Sequence, residues 1–210
     1  MSNMKIFNIE TIAEPLNLVD VVDQMIVLPE LTERTNSILK GNGKKPSAAF
    51  QQKSDLIFLI GTSVDDIASS LYLSNIHDIQ DSGAPYFNAQ QDQEMRAEIK
   101  RLSEVGILQS AHEVGVGGLF FALFESGAPK ELGFDITLPI EFRRDAYLFG
   151  EAKSRIVVSI KDTDHDKFLE VLDDSKVPHT LLGHVTKNEF RVDDESYGFM
   201  DELKPNWLNA

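Results

Sequence analysis

The chain has 210 residues, of which 42% are hydrophobic and 26% charged, so it is long enough to bury a substantial core. Its formal net charge of −14 and the lack of a basic patch argue against nucleic acid or an anionic membrane as a partner. The absence of cysteine excludes disulfides, thiolate zinc sites and cysteine nucleophiles. The sequence shows neither a signal-peptide pattern at its start nor an apolar run of about 20 residues, and we expect a cytoplasmic protein.

The first 48 residues differ in character from the rest of the chain. Two apolar stretches, residues 4–9 and 19–31, precede a segment rich in Gly, Lys, Ser and Asn at residues 32–48. The Gly41-Asn42-Gly43 sequence within it is a strong breaker of regular structure. We therefore predict an N-terminal extension over residues 1–48 and one main domain over residues 49–210.

The main domain begins with a predicted buried strand at residues 54–61, in which residues 56–60 are continuously apolar and Gly61 ends the run. A short helix carrying Ile67 and Leu71 is expected next, capped by Thr62 or Ser63.

Residues 81–87 are a predicted loop, after which Asn88 opens an amphipathic helix. Apolar residues on one face keep a helical rhythm through Met95, Ile99, Leu102 and Val105. Gly106 is placed where a helix C-cap glycine belongs.

Further short elements follow in alternation down to residue 200. Strands are predicted at residues 107–111, 134–138, 154–161, 178–186, 189–194 and 196–200, and helices at residues 117–126, 142–149 and 164–174. In the last of these helices, the side chains of Phe168, Leu169 and Leu172 should face the core. This alternation indicates an α/β or α+β fold, in which a sheet is covered by helices.

The first cluster of candidate functional residues reads SAHEVGVGGLFFALFESG, residues 110–127. Gly117 and Gly118 could open a helix whose free amides bind an anion, with His112 and Glu113 on either side of a strand end at its rim. Glu113 could hold a magnesium ion that accompanies a phosphate. The alternative is that the glycines only permit tight strand-to-helix packing.

The helix predicted after this turn is apolar nearly all round, so its phenylalanines are expected in the core or at an interface. Glu125 is its one charge and is expected to mark a solvent-facing end.

The second cluster lies immediately before the predicted strand at residues 154–161. Gly150, Glu151, Ser154 and Arg155 could bind a polar ligand where that strand begins. The alternative is an internal Glu–Arg pair that fixes the loop. The five histidines form no recognisable metal-ligand set, and no residue is assigned a catalytic role.

Six segments in this order resemble a known family: DLIFLIG, APYF, QSAHEVGVGGLFFALFES, LGFDITL, LFGEAKSRIVVSI and PHTLLGHVT. They are similar to the C-terminal end of phosphoribosylformylglycinamidine synthase (FGAM synthase), specifically to the last domain of its synthetase subunit, which is of the AIR-synthase type. The resemblance runs from about Ala49 to the C-terminus and implies a mixed sheet flanked by helices.

The resemblance also implies a reaction. Members of this family use ATP and magnesium to activate the amide of formylglycinamide ribotide for attack by ammonia from a glutaminase, in purine biosynthesis. It implies a metal role for Glu113 and nucleotide or substrate contacts for the following residues: His112, Gly117, Gly118, Gly150, Glu151, Ser154 and Arg155. The implied partners are the rest of the synthetase subunit and a glutaminase subunit or domain.

Departures from the family pattern in three regions limit this expectation. Glu113 replaces an aspartate, Gly115 a serine and Val116 a second aspartate, while Lys153 replaces a glutamine of the second cluster. The usual entry segment is missing, and residues 26–31 could substitute for its strand.

The domains expected to supply the catalytic histidine, the principal ATP lysine and most metal ligands are not part of this sequence. We expect the chain alone to be inactive, with ATP or ADP and Mg²⁺ belonging to the intact enzyme. A degenerate stand-alone binding module, a small nucleotide-binding module and a homodimer formed through exposed apolar surface remain open alternatives.

Overall fold

The computed structural model describes residues 8–15, 17–31 and 46–209, which form a seven-stranded sheet with helices on both faces. The strands are β1 Leu56–Gly61, β2 Leu108–Glu113, β3 Gly133–Ile136, β4 Arg155–Ile160, β5 His179–Thr186, β6 Glu189–Val192 and β7 Glu195–Phe199. The helices are α1 Leu18–Met25, α2 Leu71–Ile76, α3 Ala89–Val105, α4 Gly118–Gly127, α5 Arg144–Phe149, α6 His165–Leu172 and α7 Met200–Leu208.

The sheet is mixed, as predicted, with the strand order β2-β4-β1-β5-β3-β6-β7. β3 and β6 pair in parallel, whereas every other neighbouring pair is antiparallel. In the β2–β4 pair, Glu113 lies opposite Ile156 and His112 opposite Val157. This pairing brings the two candidate clusters of the sequence to the same end of neighbouring strands.

Strand β1 is continuously apolar because both of its faces are buried. Ile57 and Leu59 belong to one hydrophobic core, whereas Phe58 and Ile60 belong to the core on the opposite face. Successive side chains of a strand point to opposite faces, and a strand covered on both sides therefore shows no polar alternation.

Helix α4 fills the larger core, where an all-apolar helix has to be buried. Its Phe120 packs against Phe134 at 5.5 Å and Tyr197 at 5.6 Å between ring centroids. Phe124 similarly contacts Trp207 of α7, edge to face, at 5.6 Å. The predicted core role of these phenylalanines is confirmed.

Helix α3 covers the other face of the sheet and matches the sequence prediction at both ends. The Asn88 side chain accepts hydrogen bonds from the amides of Gln90 and Gln91, and Gly106 closes the helix in the left-handed conformation at φ 73°. Met95, Ile99 and Leu102 face the second core together with Phe168 and Leu172 of α6. Val105, predicted on the same face, is exposed at the last residue of the helix.

The described part of the N-terminal region packs into the larger core. Helix α1 begins after Asn17, whose side chain accepts from the Val19 amide, and buries one apolar face. Arg143 ties the preceding turn to the sheet domain, because its guanidinium donates to the carbonyls of Ile9 and Ile12 at 2.9 and 2.8 Å. The predicted stretch at residues 4–9 and the predicted loop at residues 32–48 fall mostly outside the described residues.

Four sequence predictions of local structure need correction. The helix expected around Ile67 begins only at Leu71, because Ser70 provides its N-cap. Residues 26–31 form a turn and a single 3₁₀ turn, Pro29–Leu31, instead of a substitute strand. Leu169 is exposed, since it lies on the outer side of α6. Helix α7, which contains Pro205, was not predicted.

Candidate functional site

The glycine turn before α4 and the loop before β4 are in direct contact. The Oε1 atom of Glu151 accepts hydrogen bonds from the amide of Gly117 at 2.8 Å and from the amide of Leu71 at 2.9 Å. The Val114 amide also donates to the carbonyl of Arg155 at 2.9 Å. A single carboxylate, only 7% exposed, thus joins the starts of two helices to the second cluster.

Two amides at the start of α4 have acceptors within the chain. Helix N-termini attract anions because their first amides lack intrahelical partners and the helix dipole is positive there. Here the Glu151 carboxylate occupies the Gly117 amide, and the Gly118 amide donates to the Gly115 carbonyl at 3.0 Å. The side chain therefore provides the negative charge that a phosphate would otherwise bring.

Close packing explains why these positions are glycine. Gly117 and Gly118 both have φ of 76°, which residues with a Cβ adopt at a cost. A Cβ on Gly117 would lie 2.6 Å from Leu31 Cδ2, and one on Gly118 would lie 2.5 Å from the Leu148 carbonyl oxygen. Gly150 is equally confined, since its Cβ would lie 2.3 Å from the Asp66 carbonyl oxygen.

Arg155 is buried and binds backbone carbonyls of the segment that precedes β4. It is 1% exposed, and its guanidinium donates to the carbonyls of Tyr147 and Gly150 at 3.2 and 2.6 Å. Burial lowers the pKa of Arg155 to about 10, because desolvation disfavours the charged form. Arg155 thus binds backbone carbonyls, whereas the Glu151 carboxylate considered as its partner accepts from the Gly117 and Leu71 amides.

Glu113 and Ser154 are linked through the first turns of α3. Ser154 donates to Asp92 at 3.0 Å, Asp92 accepts from Arg96 at 2.8 Å, and Arg96 donates to Glu113 at 2.9 Å. The Arg96, Asp92 and Glu113 side chains are partly exposed. The hydrogen bond to Asp92 is the main reason why the pKa of Arg96 is raised. Glu113 thus lies over the α3 face of the sheet.

His112 faces the opposite side of the sheet, as expected for the neighbouring residue of a strand. Its Nε2 atom lies 3.1 Å from Oε2 of Glu125 on α4, and both side chains are less than 10% exposed. Glu125 was expected at a solvent-facing end, which is wrong, because the charge is buried against the imidazole. A lone acidic residue on an otherwise apolar helix, next to a histidine-bearing strand, was the signal available in the sequence.

The structure therefore brings together Glu151 with the glycine turn, and separately joins Ser154 to Glu113. His112 lies with Glu125 beside a cavity of about 390 Å³ that Lys204 and Trp207 also line. The sequence analysis did not identify these last two residues, which belong to the unpredicted helix α7.

A magnesium ion does not fit these residues on their own. Among residues 8–15, 17–31 and 46–209, no group of three or more His, Asp or Glu side chains converges as metal ligands. Glu113 is engaged by Arg96, and Val116 offers no ligand atom where the family pattern has an aspartate.

In the same part of the chain, no helix has the length and apolar character needed to cross a bilayer.

The model of the family described as AIR synthase related protein, C-terminal domain, matches residues 52–195. The PurL subunit of phosphoribosylformylglycinamidine synthase from Alkaliphilus metalliredigens is 29% identical over 180 residues, covering 82% of this chain and 24% of that protein. The chain thus spans about a quarter of the length of this curated relative.

Two solved structures of Thermotoga maritima PurL share the fold. PurL complexed with FGAR gives a TM-score of 0.62 at 14% identity, covering 76% of this chain and 29% of that one. PurL complexed with ATP gives 0.59 at 14% identity, with coverage of 79% and 28%. Because the family model matches more than half of the chain, this protein belongs to the AIR synthase related family and carries its C-terminal domain.

Proposed function

We propose that the chain is the C-terminal lobe of a PurL-type FGAM synthase, in which it completes the synthetase subunit and performs no chemistry alone. The observation that carries the proposal is the contact between Glu151 and Gly117, which joins the family's two signature segments. The relatives are PurL subunits of phosphoribosylformylglycinamidine synthase, and the family resemblance supplies the reaction: amidation of formylglycinamide ribotide in purine biosynthesis.

In this proposal, the lobe supports the active centre through shape and contacts. The glycine turn already holds a carboxylate, and Glu113 is paired with Arg96, so neither group supplies a phosphate or magnesium site by itself. ATP or ADP and Mg²⁺ would be bound mainly by the other lobes of the synthetase. His112, Gly117, Gly118, Gly150, Glu151, Ser154 and Arg155 would then act by fixing the surface presented to those lobes.

The partners in this proposal are the remaining synthetase lobes and a glutaminase, in the cytoplasm where purine precursors are made. Apolar side chains that stay exposed support such contacts, and Ile140 is 99% exposed. Homodimerisation through the same surface is the expected behaviour of the lobe on its own. Light scattering at high protein concentration tests it, and a strict monomer would contradict it.

The experiment compares three samples in one assay of ATP-dependent FGAM formation with ammonium as the nitrogen source. They are the isolated chain, a full-length PurL, and a PurL shortened by its last lobe with this chain added in trans. We expect no product from the isolated chain, product from the full-length enzyme, and partial recovery in the mixture. Product from the isolated chain would overturn the proposal.

A second candidate function is a stand-alone binding module of the same fold. The observations that favour it are Gly115 and Val116 in place of the polar family residues, together with the internally filled turn. The mixture above separates the two candidates. Neither recovered activity nor association with the shortened PurL would favour the stand-alone module.

A further inference from the structure

One end of the sheet is formed by loops that lead to and from the helices. Strands β1, β2, β3 and β6 end there, and β4, β5 and β7 begin there. The connecting segments, which we call the loop end, are residues 62–70, 77–88, 114–117, 137–143, 150–154, 173–178 and 193–194. The loop end therefore includes the glycine turn and the Glu151 loop of the candidate site.

Two adjacent aspartates fix the positions of two of these loops. Oδ1 of Asp65 accepts a hydrogen bond from the Arg143 amide at 2.9 Å, and Oδ2 of Asp66 accepts from the Tyr86 amide at 2.5 Å. The Tyr86 carbonyl in turn accepts from the Lys153 amide at 3.1 Å. A loop surface that is already ordered in this way loses less conformational entropy when a partner binds.

Large apolar side chains remain exposed on the same loops. Phe87, next to Tyr86, is 57% exposed, and Ile140 is 99% exposed. Burial of these side chains in pockets of a partner would remove their apolar surface from water, which is favourable. Aromatic and aliphatic anchors of this kind provide much of the binding energy in protein interfaces, so Phe87 and Ile140 are the anchors we expect of a docking surface.

The loop end carries an excess of negative charge. Its basic residues are Arg143, Lys153 and Lys176. They are outnumbered by its acidic residues, which are Asp65, Asp66, Asp78, Asp81, Glu141, Glu151, Asp173, Asp174, Asp193 and Asp194. A surface of this sign attracts a basic partner and repels phosphates, which argues for a protein and against a nucleic acid.

We propose that the loop end is a docking surface for a basic protein surface with apolar pockets. This partner is another lobe of the synthetase subunit, an assignment that rests on the proposed function. Phe87 and Ile140 enter its pockets, while its basic side chains face the acidic loops. A second copy of the chain offers the same apolar anchors but repeats the acidic charge, so the basic lobe forms the tighter complex.

The test measures binding of the whole chain to the shortened PurL of the previous experiment by biolayer interferometry. A thermal melt first confirms that the shortened PurL is folded. We expect saturable binding with a dissociation constant of about 10 μM or lower, weakened about fivefold when NaCl is raised from about 0.05 M to about 0.5 M. Full-length PurL is the control and should not bind, because its own last lobe occupies the partner surface.

Matched variants locate the surface. Phe87→Ser and Ile140→Ser should each weaken binding about tenfold, whereas Val105→Ser, at a side chain 42% exposed at the opposite end of the sheet, should leave it unchanged. Glu141→Lys should weaken binding about threefold, and Glu104→Lys, near the exposed end of α3, should not. All five side chains are exposed, so each variant should fold, which thermal melting checks.

The docking surface and the proposed function fail in different ways. If the mixture recovers FGAM formation but Phe87→Ser and Ile140→Ser bind as tightly as wild type, the docking surface is wrong and the proposed function stands. If the wild-type chain neither binds the shortened PurL nor recovers activity, the proposed function fails and the docking surface fails with it. Binding that does not weaken with salt would overturn the basic character of the partner.

Discussion

Glu151 Oε1 lies 2.8 Å from the Gly117 amide, so the carboxylate of one family segment caps the helix that opens in the other. The two residues are 34 positions apart in the chain, and the β2–β4 pairing brings their segments together. A charge-assisted hydrogen bond to a helix N-terminus combines a strong acceptor with a favourable dipole. This contact organises the candidate site and yields the first prediction.

Removal of the Glu151 carboxylate should destabilise the fold. We expect Glu151→Ala to lower the free energy of unfolding by about 3 kcal/mol, because one buried and one partly buried amide lose their acceptor. Glu151→Gln keeps an acceptor oxygen and should cost less than half as much. Urea unfolding followed by circular dichroism measures both, and equal losses for the two variants would contradict the capping role.

Gly118 should tolerate no side chain, for reasons of space more than of backbone conformation. In Gly118→Ala the new Cβ would meet the Leu148 carbonyl at 2.5 Å, and we expect a loss of about 3 kcal/mol or more. Gly83→Ala is the matched control, since Gly83 has φ of 84° but no atom within 4 Å of the added Cβ. It should cost about 1 kcal/mol. Similar losses for both variants would show that close packing at Gly118 is unimportant.

Glu113 should behave as a surface ion-pair residue. Glu113→Gln weakens its contact with Arg96, in which both side chains are partly exposed, and should change the unfolding free energy by less than about 1 kcal/mol. Added MgCl₂ should not raise the melting temperature of the wild-type protein more than that of Glu113→Gln. A rise in the wild-type protein alone would indicate that Glu113 binds the ion.

Asp55 should make stability depend on pH. The residue is 1% exposed, and burial raises its pKa above the ordinary 3.8, while hydrogen bonding to Gln52 and the charge of Lys161 offset part of the effect. The folded protein therefore holds this proton more tightly than the unfolded chain. The stability it provides is complete below pH 3.8 and is lost as the pH rises through the folded-state pKa.

Replacing Asp55 with an uncharged residue should consequently raise the free energy of unfolding at neutral pH. We expect Asp55→Asn to unfold with a free energy on the order of 1 kcal/mol higher than wild type at pH 7, and with no advantage in strong acid. Asp174→Asn, on an exposed turn, is the control and should show no such trend. Thermal melts across the pH range measure this difference, and a benefit that does not depend on pH would contradict the titration of Asp55.

The sequence analysis predicted those helices and strands whose signals lie in their own residues. Strand β1 is apolar throughout because it is covered on both faces, and α3 carries its own cap residues, Asn88 and Gly106. Helix α7 was missed because Pro205 argues against a helix interior, yet the helix is held by Leu203 and Trp207 against the core. Tertiary packing outweighs the local preference there.

The candidate site was predicted only in part. The family segments identified Glu151 and the glycines, but not that the carboxylate itself would occupy the Gly117 amide. The His112–Glu125 pair was also missed, because its spacing of 13 residues follows neither a strand nor a helix repeat. Such a pair arises from the packing of α4 against β2, which a single sequence does not encode locally.

The account's central claim is that this lobe, with its glycine turn filled by Glu151, binds no nucleotide without the other lobes. The direct measurement is calorimetric titration of the isolated chain with MgATP in the presence of formylglycinamide ribotide. The account predicts no saturable heat. One-to-one binding that is lost in Gly118→Ala, with Gly83→Ala unaffected, would contradict it.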